Sequence, residues 1–282
     1  MQIFREIAPL KVFLVEKRKL GKTVGFVPTM GAIHLGHLSL IQASRNENAI
    51  TVCSIFVNPA QFNNPADLQK YPRTPEEDTA LLKNGGCDVL FFPATHDMYE
   101  TETIVRFDFG HLDKIMEGQF RPGHFSGVAL VISKLFHIVE PDYAYFGQKD
   151  WQQFTIIRHL VHELKFNVKL KSVPTMREPD RLAMSSRNMR LTSAQREKAG
   201  ILYQALTQAS ALLKSGSTLE EVKLNVKRIV EHDPEIKLEY FEVADSENLK
   251  LLNRVEESAK PILCIAAFAG QVRLIDNMFL SR

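Results

Sequence analysis

Cysteine is scarce: Cys53, Cys87 and Cys264 are the only three in a chain of 282 residues, and they stand far apart in apolar runs. An odd, scattered set excludes a disulfide framework and a Cys-x-x-Cys metal site, and reads as small buried hydrophobes. A charge excess is also missing. Thirty-five Lys plus Arg against 33 Asp plus Glu leave +2, too little for a nucleic-acid or anionic-membrane surface. No run of 18 apolar residues occurs, and Lys11, Glu16, Lys17, Arg18 and Lys19 interrupt the apolar stretch near the start. Neither a membrane span nor a secretory leader is expected, so the protein reads as cytoplasmic. Two nucleotide-binding fingerprints are absent as well. Gly21-Lys22-Thr23 has the tail of a Walker A loop, but Glu16 stands where that motif needs glycine, and there is no Gly-x-Gly-x-x-Gly. What remains, 45% hydrophobic and 24% charged residues, describes a globular chain long enough for a real core, in one large domain or two.

Short apolar runs at 24–28, 50–57, 88–92, 143–146 and 168–173 alternate with amphipathic stretches, the pattern of βαβ units in a parallel sheet buried on both faces. The fold class expected is therefore α/β: a doubly wound parallel sheet over residues 1–175, with a smaller α+β domain over 176–282. Thr74-Pro75-Glu76-Glu77 reads as an N-cap, a proline at the first helical position and a capping-box glutamate, and Gly85-Gly86 closes that helix. Thr192 and Gln195 read as a second capping box, opening one long helix through Leu213, followed by a helix over 219–230 and strands near 237–244, 262–268 and 272–277.

The chemistry concentrates where strands end. The first strand runs into Pro28-Thr29-Met30-Gly31-Ala32-Ile33-His34-Leu35-Gly36-His37, with helix expected from Leu38. Ligands of open α/β sheets bind outside the carboxyl ends of the strands, and a helix N-terminus there supplies N–H donors and a positive dipole end for phosphate. His34 and His37 are three apart and share one face of the first turn. As zinc ligands they lack a third partner, because no Cys, Asp or Glu is near. Gly147-Gln148-Lys149-Asp150 with Gln153 repeats this placement at a later strand end, although a solvated polar helix start would look the same. Asn58 and Gln61 add neutral amides suited to a hydroxylated or carboxylated small molecule. Met184-Ser185-Ser186-Arg187 offers hydroxyls and a guanidinium, with a capped surface turn as its default reading. Arg73, Arg121 and His124 could add positive charge to the crevice at these strand ends, but bracing of loops is the default reading for each.

Taken together, PTMGAIHLGH at 28–37, FVNPAQF at 56–62, YPRTP at 71–75, EGQFRPGHFSGV at 117–128, KLFHIVEPDYAYFGQKDWQQ at 134–153 and LAMSSRN at 182–188 resemble the pantoate–β-alanine ligase family, in its order and over nearly the whole chain. The family belongs to the nucleotidyltransferase superfamily with His-x-Gly-His and Lys-Met-Ser-Lys-Ser-like signatures. The resemblance implies a Rossmann-like first domain binding ATP and pantoate, a C-terminal lid domain, and ligation in two steps: pantoyl adenylate and pyrophosphate form first, then β-alanine displaces AMP. It implies an ATP loop of Met30, Gly31, Ala32, Ile33, His34, Leu35, Gly36 and His37. Nucleotide contacts at Gly147, Gln148, Lys149, Asp150, Met176, Met184, Ser185, Ser186 and Arg187 follow from it too, as does pantoate held by Asn58, Gln61 and Gln153. His34, His37 and Lys149 would be catalytic, His37 more plausibly as a hydrogen-bond donor to phosphate than as a literal proton donor. Glu77 and Asp78 would contribute to a Mg²⁺ site, a role that competes with the capping box for Glu77, and a homodimer is expected because relatives form one.

Three positions depart from the commoner family pattern: Gln148 for Glu, Met176 for Val, and Arg181 for Gly. Two other readings stand beside the ligase: transfer of a nucleotidyl group to a phosphorylated acceptor, which the neutral amides disfavour, and nucleotide sensing without turnover.

Overall fold

The structure is a computed structural model that describes residues 1–281. It divides into two compact units, the first comprising residues 1–147 and 156–174 and the second residues 148–155 with those from 175 onward.

In chain order the first stretch contains β1 (Gln2–Phe4), α1 (Ile7–Lys19), β2 (Val24–Thr29), α2 (Leu35–Glu47), β3 (Ile50–Ile55), α3 (Pro65–Gln69), α4 (Pro75–Asn84), β4 (Val89–Phe91), α5 (Thr95–Met98), α6 (Met116–Phe120), α7 (His124–Val139) and β5 (Tyr143–Gly147). Then follow α8 (Trp151–Glu163) and β6 (Lys169–Val173). The six strands form one parallel sheet in the order β1-β4-β3-β2-β5-β6. Each residue of β3 is buried, as a strand covered on both faces requires. From β2 the chain steps outward through β3 to β4, then returns to the other side of β2 for β5 and β6. That reversal makes the carboxyl ends of β2 and β5 the switch point of the sheet, where such folds place ligands. β1 escaped the sequence reading because it is three residues long and mostly exposed, with no periodicity to detect.

One helix start and one helix cap differ from expectation. α2 begins at Leu35, three residues early, because His34 caps it. Thr74 is the N-cap of α4 but makes no capping bond, and Glu77 is exposed. The Thr74 hydroxyl instead donates to the Asp78 carboxylate at 3.0 Å, so the expected capping box does not form.

The second unit continues with α9 (Ser193–Lys198), α10 (Ile201–Lys214), α11 (Leu219–Val230), β7 (Ile236–Asp245), β8 (Pro261–Ala269) and β9 (Val272–Phe279). Its strands form an antiparallel sheet β7-β8-β9, and Leu202, Leu206, Val222 and Val226 of α10 and α11 share a core with Leu263, Ile265 and Leu274. The Thr192/Gln195 capping box forms. The single helix expected after it is two, interrupted at Ala199-Gly200, where a Cβ on Gly200 would come within 2.9 Å of the Asp180 carbonyl oxygen. Residues 148–155 group with this unit and not with the first, unlike the single cut expected at 175/176. Asn277 Nδ2 donates to the Gln148 and Lys149 carbonyls at 2.8 and 2.7 Å, and the Trp151 indole donates to the Ser246 carbonyl at 2.9 Å. Among the described residues no helix is long and apolar enough to cross a membrane.

Arg181 closes a tight turn in this unit. Its N–H donates to Glu178 O and the Glu178 N–H to Leu182 O, both at 2.9 Å, while Arg181 itself sits at φ +74°. That is a turn followed by a left-handed residue, a place where glycine is at ease. Left-handed backbone costs a side-chain-bearing residue about 1–2 kcal/mol, whereas glycine's extra unfolded-state freedom costs about 0.5–1 kcal/mol. Arg181→Gly is therefore expected to stabilise the protein by about 0.5–1 kcal/mol in denaturant titration; a loss would show that the arginine side chain contributes more than the strain it carries.

Candidate active site

The loop leaving β2 is built around two consecutive left-handed residues, Gly31 at φ +82° and Ala32 at φ +48°. Thr29 Oγ1 donates to Ser54 O at 2.7 Å and accepts the Gly31 N–H at 3.2 Å, which anchors the turn to β3. A Cβ at Gly31 would lie 2.9 Å from Asp78 Oδ2, so glycine is required by space as well as by φ. The next two amides, of Ala32 and Ile33, donate to the two Asp78 carboxylate oxygens at 2.9 and 2.7 Å.

His34 then opens α2 as its N-cap. Its Nδ1 accepts the Gly36 N–H at 3.1 Å, and His37 Nδ1 accepts the His34 N–H at 3.3 Å, a capping box made of two imidazoles. A ring nitrogen that accepts carries no proton, so in the neutral rings both protons are on Nε2. The rings lie 4.0 Å apart, centroid to centroid, tilted by 35°. The His37 and Leu38 amides bond to the His34 carbonyl. The amides of residues 31–34 and 36–38 are thus engaged inside the protein. This corrects one expectation: the backbone amides at this helix start do not stand free for an anion.

Next to this loop, Asn58 and Gln61 are both buried and joined by Asn58 Nδ2 to Gln61 Oε1 at 3.2 Å. The amide network is tied on every side. Asn58 Nδ2 also donates to Gly127 O at 3.1 Å, the Tyr99 hydroxyl donates to Asn58 Oδ1 at 2.7 Å, and Gln61 Nε2 reaches Met30 Sδ at 2.9 Å. Burial pushes the Tyr99 phenol up to about 12, so at neutral pH it is a hydroxyl donor. His124 holds the Gln61 backbone: its Nδ1 lies 2.8 Å from Gln61 O, and Arg121 Nη1 lies 3.0 Å from its Nε2. A carbonyl only accepts and a guanidinium only donates, so His124 is the Nδ1–H tautomer, the reverse of His34 and His37. Glu117 lies 3.7 Å from Arg121, and Arg73 donates to the carbonyls of Leu68, Gln69 and Tyr71. The bracing expected of Arg73, Arg121 and His124 is what they do.

The metal expectation at Glu77 and Asp78 does not fit. The Asp78 oxygens are buried and accept three protein hydrogen bonds, and Glu77, next to it on the helix, is exposed. No group of three or more His, Cys, Asp or Glu able to hold an ion occurs among the described residues. Thiol chemistry is also remote, since Cys53 and Cys87 are buried and burial raises both, Cys87 to about 12.

In the second unit, Gln148–Asp150 is a short 3-10 turn with Lys149 Nζ 3.5 Å from Asp150 Oδ1. Asp276 there is buried and bonded by Arg177 at 2.6 and 3.0 Å. Burial still raises its carboxyl above the usual range, against the lowering effect of Arg177 and, at longer range, of Lys149. Ser185 caps the turn Ser186–Arg190 by accepting the Arg187 N–H at 3.3 Å, Ser186 is buried, and Gln153 is half-buried. The carbonyl of Met176, a residue expected among the nucleotide contacts, accepts the Met184 N–H at 3.0 Å.

Sequence reasoning missed Asp78 as a loop anchor, Tyr99, and Gly127. Only Gly127 left a signal, a glycine inside an otherwise apolar helical run; a Cβ there would lie 2.1 Å from Ala60 O and 2.7 Å from Gln61 N.

The chain matches the family model described as Pantoate-beta-alanine ligase over residues 2–279. It is 46% identical over 275 residues to the pantothenate synthetase of Cytophaga hutchinsonii, covering 97% of each chain. With the Bacteroides thetaiotaomicron pantothenate synthetase it shares 44% over 278 residues, 99% of this chain and 98% of the other. Among solved structures it superposes on pantothenate synthetase from Thermus thermophilus with TM-score 0.93 at 39% identity and complete coverage of both chains. The Francisella tularensis pantoate-beta-alanine ligase, complexed with beta-gamma ATP and beta-alanine, gives TM-score 0.84 at 38% identity, covering 99% of this chain and 98% of that one.

Because backbone occupies the space beside Gly127, Gly127→Ala is expected to cost about 1–3 kcal/mol of stability through overpacking. Differential scanning calorimetry checks this; an unchanged melting temperature would mean that α7 and the Pro59–Gln61 turn are not held in contact.

Proposed function

The chain belongs to the pantoate–β-alanine ligase family, and from that premise we propose that it joins pantoate to β-alanine at the expense of ATP through a pantoyl-adenylate intermediate. The single observation that carries this reading is the pair of adjacent imidazoles capping α2 at the sheet's switch point, with the Asn58–Gln61 amides tied to Met30 of the same loop.

A carboxylate is a poor acyl donor, and adenylation gives it a leaving group. One pantoate carboxylate oxygen attacks the α-phosphorus, the bond to the β-phosphate oxygen breaks, and pyrophosphate leaves. The β-alanine amine then attacks the acyl carbon, the bond to AMP breaks, and the amine gives up a proton as the amide forms. The first displacement needs alignment and stabilisation of phosphate charge more than a protein nucleophile. His34 and His37 serve it as Nε2–H donors to the α-phosphate oxygens, a contribution typically worth about 10²–10³ in rate for one such donor. Lys149 supplies positive charge to the phosphates. Asn58 and Gln61, with Gln153, hold the hydroxy acid, and Gly147 to Asp150, Met176 and Met184 to Arg187 are assigned to nucleotide contacts. The neutral character of the Asn58–Gln61 pair favours a carboxylate over a phosphorylated acceptor, which would call for Arg or Lys beside it.

Two measurements test the reading. Exchange of labelled pyrophosphate into ATP should require pantoate, and AMP release should require β-alanine; absence of both refutes the ligase. His34→Asn keeps an N-cap acceptor, so it is expected to fold with stability close to the parent, whereas His34→Ala should lose about 1 kcal/mol. Both variants should lose about 10²-fold or more in exchange rate. An active Asn variant would show that His34 matters for capping alone.

A further inference from the structure

The carboxylate of Asp78 is buried, carries no paired cation among the described residues, and accepts from Ala32 N–H, Ile33 N–H and Thr74 Oγ1 at 2.9, 2.7 and 3.0 Å. Burying an ionised carboxylate without a counter-charge is costly, and donors aimed at both its oxygens are what offset that cost. Those donors are not spread through the fold: two of the three come from one turn, the turn whose Gly31 and Ala32 both hold positive φ. Left-handed backbone at a residue with a Cβ persists only where surrounding bonds over-determine it. Released from Asp78, Ala32 has every reason to relax to negative φ, and His34 lies two residues further on.

We propose that Asp78 is a positioning residue for the first half-reaction: its carboxylate clamps the Gly31–Ile33 turn and so sets the two imidazoles that cap α2, instead of holding a metal ion. The inference rests on the ligase reading above. It assigns Thr74 a lesser part, as the third donor to the clamp, its hydroxyl bonding to Asp78 while making no capping bond to α4.

The test uses the full chain with Asp78→Asn, which preserves shape but sets an NH₂ against one of the two amides, and Thr74→Val, which removes the third donor alone. Circular dichroism and melting temperature report folding. Hydrogen exchange across residues 31–34 reports the clamp directly and should quicken in Asp78→Asn. Pantoate-dependent pyrophosphate exchange should fall about a hundredfold, the scale of catalytic loss from an ångström of misplacement. Release of AMP from pantoyl adenylate supplied ready-made with β-alanine should stay within about twofold, since the second step makes no use of the adenylation geometry. A merely structural lesion would depress both half-reactions together. Recovery of exchange on raising Mg²⁺ tenfold would identify Asp78 as a metal ligand and overturn the proposal. So would unchanged hydrogen exchange and unchanged ATP kinetics in the folded variant. Should Asp78→Asn fail to fold, Thr74→Val decides: a rise of severalfold in the ATP KM with pantoate KM unaltered supports the clamp, and no change overturns it. An unaltered chain without pantoate-dependent exchange would instead sink the ligase reading, whatever Asp78 does.

Discussion

One buried carboxylate organises the end of β2. Asp78 takes two consecutive amides from a turn that runs left-handed at both Gly31 and Ala32, and the position of His34 and His37 follows from where that turn ends. The strand and the helix on either side are ordinary βαβ elements. The reversal joining them is not, because Gly31 is hemmed by Asp78 on one side and Ile55 on the other, and Thr29 ties its base to β3. Three independent anchors on four residues leave this loop few alternative conformations, which suits a site whose work is alignment.

Three histidines around the β2 loop and the Asn58–Gln61 pair divide by tautomer. His34 and His37 each spend Nδ1 on a backbone amide, which commits Nε2–H to donation. His124 spends Nδ1–H on a carbonyl and accepts from Arg121, so it offers no such donor and acts as a strut beneath Gln61. In the proposed reaction the His34 and His37 imidazoles would do what glycine-rich loops do elsewhere with main-chain amides. Under the proposed function that substitution goes with the absence of both familiar phosphate-binding fingerprints from the sequence.

What the sequence made legible was whatever depends on local pattern. Strands β2 to β6 of the parallel sheet stand within a residue or two of the apolar runs that announced them, and the Thr192/Gln195 box forms where it was expected. The loops at strand ends were visible for the same reason. The features that stayed hidden depend on pairings between distant residues: Asp78 with Ala32 and Ile33 across 46 and 45 positions, Tyr99 with Asn58 across 41, and Gly127 against Ala60. Local rules even misdirected, since Thr74 and Glu77 have the spacing of a capping box. There the Thr74 hydroxyl is turned to donate to the buried carboxylate one residue further on and accepts no helix amide.

Arg181 shows the same tension at lower stakes. Its left-handed backbone is imposed by the turn, through the bonds that Glu178 makes with Arg181 and Leu182, yet the position lacks the glycine that would adopt it at no steric cost. Arg177 offsets part of this, because its guanidinium reaches both the Arg181 carbonyl at 3.0 Å and the buried Asp276. The turn is thus fastened to β9, and the strained residue is held by its backbone neighbours while its side chain stays exposed. Ala32 is the sharper case of the same principle. There the neighbour doing the holding is a buried charge, whose own solvation depends on the amides it restrains, so that neither the turn nor the carboxylate is stable in its present form without the other.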